Sequence, residues 1–213
     1  MIIPQRKSWV IWTVGLLGLA VLFWWAPPFH IVRLKAAQQG ITAFDAKVFV
    51  DEFWSDTLIK SLDHATDAAV LVAEIRKDPK AARQKYGHSA GLGSAYYFFI
   101  AGEGRVVSVS PDEVSLSLDL KGSSADVALE TGNIFGNAVR DGTGLLNVSD
   151  FADSQDFNAI SSEINRRIEE KVLPELRGKA IGTTVHFAGC VEIADEETDL
   201  HRLQVVPVSV VLR

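Results

Sequence analysis

The chain has 213 residues, 47% hydrophobic and 23% charged, which is enough apolar material for a core and too much for a disordered chain. Residues 1–26 hold two of the 21 basic residues, Arg6 and Lys7, and none of the 27 acidic ones, so the remainder carries 19 against 27, net −8. A domain that acidic is a poor partner for nucleic acid, and a single cysteine, Cys190, excludes an intramolecular disulfide and any cysteine metal cluster.

Residues 9–26, WVIWTVGLLGLAVLFWWA, contain no charge. As a helix this run spans about 27 Å, close to the roughly 30 Å hydrocarbon core of a bilayer. Trp9, Trp12, Trp24 and Trp25 sit at its two ends, where amphipathic rings favour the headgroup level. Pro27 and Pro28 then stop the helix. A cleaved signal peptide would have a shorter apolar core and a small-residue cleavage site, and this exit offers neither. The expectation is an uncleaved anchor that places Trp9 to Ala26 in the lipid bilayer. Arg6 and Lys7 are nearly balanced by Arg33 and Lys35, so the free amine and the small head decide orientation: N-terminus cytoplasmic, bulk outside. The domain layout read from the sequence is a head and transmembrane anchor over 1–28, a tether over 29–41 and an α+β domain over 42–213.

Within that domain, a helical part covers about 42–90. Thr42 to Asp45 reads as a capping-box variant. Ala46, Val50, Phe53, Trp54, Leu58, Leu62, Ala65, Ala69 and Val72 then recur at helical spacing, and Asp78-Pro79 caps a further short helix closed by Gly87. From about 94 to 213 the pattern is an OB-like part. A strand from Tyr96 to Ser110 is interrupted at Gly102-Glu103-Gly104, and a turn follows at Pro111. Val114, Leu116, Leu118 and Leu120 alternate with Ser115, Ser117 and Asp119, which predicts a strand with one buried and one wet face. A third strand runs from about 125 to 135. Phe157, Ile160, Ile164, Ile168 and Val172 predict a helix over 154–176 with Gly178 just beyond it. Two strands follow near 181–193 and 203–212, split by the acidic loop Asp195-Glu196-Glu197, with Pro207 marking an edge or a bulge. The β-β-β-α-β-β order matches a five-stranded OB-like Greek-key barrel or a strongly curved sheet, with Ile160 and Ile164 covering an open end.

Known chemical motifs are few. Of His30, His64, His88, His186 and His201, no pair has the i,i+4 spacing of a helical zinc site. Gly91-Leu92-Gly93-Ser94 lacks the third glycine of a dinucleotide fingerprint and precedes a strand, so it reads as a turn. The Gly-x-Ser-x-Gly elbow is absent, and Cys190 reads as an inert strand thiol. The run Asp195 to Asp199 lacks the spacing of a calcium loop and reads as solvated. No cofactor or metal is expected from these residues.

The densest polar and glycine segment is Gly132 to Gly142, which contains Arg140 and Asp141. Asn158 and Asn165 lie seven residues apart on the following helix, near one face after two turns. If strand end and helix meet, Arg140, Asp141, Asn158 and Asn165 form a concave site suited to an anionic or hydroxyl-rich ligand. The bland alternative is an ordinary Arg140–Asp141 turn, with the amides holding the loop.

Gly136-Asn137-Ala138-Val139-Arg140-Asp141, then Phe151, Phe157-Asn158 and Glu163-Ile164-Asn165, resemble a bacterial family of predicted periplasmic lipoproteins of unknown function. Tyr86-Gly87, Gly102-x-Gly104-x-Val106 and Gly189 fit the same pattern, and the likeness spans about 44–212. Members are often encoded beside sugar-type ABC transporters. The resemblance implies an envelope location and an accessory role in solute uptake, with a transporter component or small solute as partner; with the anchor and its orientation, the expected location is the inner membrane with the bulk in the periplasm. A lipoprotein needs a cysteine just after its apolar segment, and Cys190 is far from it, so the Trp9–Ala26 helix is expected to do the tethering. Function is therefore expected to be non-enzymatic ligand or partner binding. The alternative is a hydrolase or transferase with a site near Arg140 and Asp141.

Overall fold

The computed structural model describes residues 44–90 and 94–212, and Phe44 onward forms one compact unit. The expected anchor, the 29–41 tether and the Gly91–Gly93 turn lie outside the described residues. Among the described residues, no helix is long and apolar enough to cross a membrane.

The domain opens on α1 (Ala46–Glu52), capped by Asp45, whose carboxylate accepts from Lys47 and Val48 N–H. The predicted long helix does not stay α-helical. It passes through a π turn over Phe53–Leu58 and a 3-10 segment over Ile59–His64, then breaks at extended Ala65. A two-residue strand β1 (Thr66–Asp67) follows, and Asp67 caps α2 (Ala68–Lys77) by accepting from Val70 N–H at 2.9 Å. Ala69 consequently faces solvent, while Ala68 is buried. Apolar spacing alone continued through this break because the chain turns while its buried side stays on the core. Helix α3 (Pro79–Tyr86) begins as expected, with Asp78 accepting from Lys80 and Ala81 N–H.

Six strands form the sheet: β1, β2 (Tyr96–Val109), β3 (Glu113–Ser117), β4 (Val127–Glu130), β5 (Thr184–Ile193) and β6 (Leu203–Leu212). The order β2-β3-β4-β6-β5 closes on itself through a β2–β5 pairing, and β1 adds parallel to β2 outside that ring. The barrel thus has the five expected strands, and the sixth is the short β1, where apolar spacing alone predicts helix. Strand β2 serves two neighbours on one edge, β1 at Ile100–Ala101 and β3 from Arg105 to Val109, while β5 runs along the other edge from Tyr96 to Arg105. It also runs unbroken through Gly102-Glu103-Gly104. Those glycines mark close approach: a Cβ at Gly102 or Gly104 would lie 2.9 Å from the Cβ of Ala68 or Leu116.

Strand β3 is shorter than expected, and its two faces are both covered. Ser115 and Ser117 are buried, Ser115 by hydrogen bonds with Glu113 and Arg202 and Ser117 by donation to Asp119 O. Leu118 is only half-buried, and Leu120, expected inward, is 46% exposed because the strand ends at Ser117. Strand β4 stops at Glu130, so Phe135 is not in it. Pro207 sits at a bulge, where β6 shifts register between Ser209 and Pro207 against Ala188 and Gly189; it is not on an edge, since β6 lies between β4 and β5.

Between β4 and β5 lie α4 (Ala138–Gly142), α5 (Ser154–Lys171) and α6 (Leu173–Leu176). Asp153 caps α5 by accepting from Gln155 N–H at 2.8 Å. Its stripe Phe157, Ile160, Ile164, Ile168 is buried and joins the core that runs from Val50 through the barrel to Val208. The acidic loop after β5 is a capped turn of helix, α7 (Glu196–Asp199), with Asp195 accepting from Glu197 N–H.

Candidate functional site

The segment 138–142 is helical, so Asp141-Gly142 is not turn chemistry. Helix α4 presses on the barrel at Gly142, where a Cβ would meet Cys190 Cβ at 3.0 Å and Tyr97 Cβ at 3.2 Å. That close seat carries Arg140 and Asp141 inward, 6% and 8% exposed. Arg140 Nε donates to Asp141 Oδ1 at 2.6 Å and Nη2 to Asp141 Oδ2 at 3.0 Å. Nη1 donates to Phe157 O at 3.2 Å and to Asn158 Oδ1 at 3.1 Å, and the guanidinium carbon lies 3.9 Å from the Phe157 ring centroid. The planar fork is thus spent on one carboxylate, one carbonyl and one amide. Tyr97 lies beside the pair; burial, reinforced by Glu192 and Asp141, pushes its phenol up to about 12.

The pair floors a cleft of ≈ 440 Å³. Its walls include Leu146, Val148 and Phe157 on the apolar side and His88, Asn147 and Ser154 on the polar side. The structure therefore brings Arg140, Asp141 and Asn158 together. Asn165 does not join them: its amide donates to Gly136 O at 3.0 Å and lines a different groove. The bland reading of the amides as loop holders thus describes Asn165's contact, while Asn158 both holds Arg140 and borders the cleft.

The sequence reading missed His88, Asn147 and Ser154 in this cleft. His88 is held to β2 by paired backbone hydrogen bonds with Tyr97, a contact across a loop that local pattern does not show. Its imidazole packs against Gly144, whose φ of 67 places it in the left-handed region. Among the described residues, no group of three His, Cys, Asp or Glu side chains is placed to hold a metal.

A closed five-stranded barrel with a helix between its third and fourth strands, and parallel pairing of the third with the fifth, is an OB-type fold. In agreement, the crystal structure of an OB-fold protein from Thermotoga maritima matches with a TM-score of 0.69 at 24% identity, covering 80% of this chain and 99% of its own. That likeness speaks for the fold alone. The chain belongs to the family described as "Predicted periplasmic lipoprotein (DUF2291)", whose model matches residues 19–211. The comparison with curated proteins gives no match. The family description carries a periplasmic location, and it assigns no activity. Cys190, the single cysteine, lies inside β5 at 0% exposure.

Proposed function

We propose that this protein is a membrane-anchored, non-enzymatic periplasmic module that binds a small solute or a transporter component in the Arg140 cleft. The observation that carries the reading is the cleft's construction. Apolar walls and a few polar groups surround a floor whose charges already satisfy each other. Such a floor holds shape and orients a ligand, its own two charges being committed to each other. The accessory role beside a sugar-type transporter comes from the family resemblance. The anchor rests on the uncharged run Trp9–Ala26.

The test uses the full-length protein. After a carbonate wash it stays with the membrane fraction, because a spanning helix does not depend on screened charges. From detergent-solubilised membranes, the wild type retains a transporter subunit that Ser154→Trp, which fills the cleft from an exposed position, releases without a change in melting. Recovery in the soluble wash, or equal retention by both proteins, overturns the corresponding half of the reading.

A further inference from the structure

Helix α5 borders a second hollow, a groove of ≈ 380 Å³ between its polar face and the loop that follows β4. Phe135 stands on this loop with 79% of its surface exposed. Both of its neighbours are clamped to α5. Ile134 N–H donates to Glu169 Oε1 at 2.8 Å, and Gly136 O accepts from Asn165 Nδ2 at 3.0 Å. Ile134 is buried, and Gly136 takes a φ of 80 that a side chain would strain. The backbone on both sides of Phe135 is thus held to α5, so little main-chain ordering is left to lose on binding.

The groups around it select the ligand. Ser161 lines the groove at 4% exposure, and its hydroxyl has no hydrogen-bond partner. Buried polar groups are nearly always paired, and this one lies unpaired just beneath the groove, closed to solvent. Among the described residues, Asn158 Nδ2, Asn165 Oδ1 and Glu169 Oε2 also have no partner, while their other ends are used. Arg166, the one cation lining the groove, is paired through all three nitrogens with Glu163 and Glu170. The groove thus offers donors and acceptors in mixture and an aromatic ring, and its one guanidinium is outnumbered by the carboxylates of Glu163, Glu169 and Glu170, an excess of negative charge that disfavours an anion. Hydroxyl groups, each able to donate and accept, match the mixture, and an aliphatic ring face matches the phenyl surface.

We infer that the groove between Phe135 and α5 binds a neutral, ring-shaped polyol, a saccharide or cyclitol, lying on Phe135 with its hydroxyls on Asn158, Asn165 and Glu169. This deepens the binding-module reading and rests on it, at a place apart from the Arg140 cleft; Asn158 alone borders both.

Full-length protein in a detergent without a sugar headgroup is titrated with glucose, myo-inositol, glucose 6-phosphate and a neutral tripeptide while the asparagine side-chain amides are followed by NMR. The expected result is a saturable shift of the Asn158 and Asn165 amides with glucose or myo-inositol. Phe135→Ala weakens it about tenfold or more without lowering the melting temperature, and Phe135→Trp keeps it. Ser154→Trp, which blocks the cleft, leaves the shifts intact. Three results overturn the inference: no shift with either neutral polyol, a response to the phosphate or peptide alone, or unchanged affinity in Phe135→Ala. Loss of the shifts in Ser154→Trp also overturns it, by showing that the groove is not a separate site. Failure of transporter retention with these shifts intact removes the cleft reading alone.

Discussion

Arg140 and Asp141, adjacent in the chain, form a bidentate ion pair on each other inside the domain, with contacts of 2.6 and 3.0 Å. Their side chains are 7% and 9% exposed, so each charge depends on the other for its solvation. Removing one partner leaves the other buried and unpaired, which costs about 3–5 kcal/mol. Arg140→Ala is expected to lose that much in urea unfolding. Arg140→Lys keeps the charge and loses the fork to Asp141, Phe157 O and Asn158, and falls between the two. The double variant Arg140→Met/Asp141→Leu recovers most of the loss, because paired apolar replacements are often neutral. An Arg140→Lys variant that unfolds like the wild type would show that the fork holds nothing.

The barrel was legible because its strands carry strong local signals. The last strand is bounded by the acidic loop before it, and α5 carries an unbroken apolar stripe. The pieces that were not legible are those decided by contacts distant in sequence. Thr66 and Asp67 become a strand because β2 offers them a free edge at Ile100 and Ala101, which nothing near them announces. Ser115 and Ser117 read as wet, yet Arg202 and Asp119 close over them. Within the site, the Gly132–Gly142 segment stood out by composition. Its internal arrangement did not, because α4 exists to seat Gly142 against Cys190 and Tyr97. Phe135 falls at the end of the expected third strand, but β4 stops at Glu130 and leaves its ring 79% exposed.

Leu116 and Leu120 share the alternation of one sequence run and differ fully in burial, 0% against 46% exposed. Leu116→Ala removes a packed side chain from the barrel interior and is expected to cost about 2–5 kcal/mol. Leu120→Ala lies past the end of β3 and is expected to stay within about 0.5 kcal/mol of wild type. Half-buried Leu118 falls between. Chemical denaturation of the three variants checks the order, and equal losses at 116 and 120 would mean that β3 continues to Leu120.

Gly189 faces the β6 bulge. A Cβ there would lie 2.4 Å from Val206 O and 2.6 Å from Val205 Cγ1. The nearer obstacle is backbone, which cannot swing away as a side chain can. Gly189→Ala must therefore part β5 from β6 where they pair, at a cost toward the upper end of the roughly 1–3 kcal/mol of overpacking. Hydrogen exchange is expected to accelerate first at the amides of 187–191 and 205–208. Unchanged protection there would contradict the close approach.

Cys190 is fully enclosed between β2 and β6, and burial alone pushes its thiol well above the ordinary cysteine range. The thiolate is the reactive form, so the native protein is expected to ignore a thiol-specific reagent that modifies it promptly in denaturant. The rate of labelling in water then reports global opening, and variants such as Arg140→Ala raise it in step with their loss of stability. Prompt stoichiometric labelling of the native wild type would contradict the enclosed position.

Tyr96 and Tyr97 head β2, and each phenol is pushed up to about 12. Burial is the main cause for both, followed by Glu196 beside Tyr96 and Glu192 beside Tyr97. Below about pH 10 these phenols are neutral whether the chain is folded or not, and their burial carries no pH-dependent penalty. Between about 10 and 12 the unfolded chain releases these protons while the folded one keeps them. The unfolded state then binds fewer protons, so stability falls as pH rises through this window. Above about 12 both states are ionised and the contribution is gone. Lysine deprotonation acts over the same range, so the comparison with Tyr97→Phe isolates the effect: the variant is expected to lose stability less steeply between pH 10 and 12. Phenolate absorbance of the native protein should likewise rise late, with two tyrosines still neutral when free tyrosine is ionised. Parallel stability profiles for wild type and Tyr97→Phe would show that the Tyr97 hydroxyl meets solvent in the folded state.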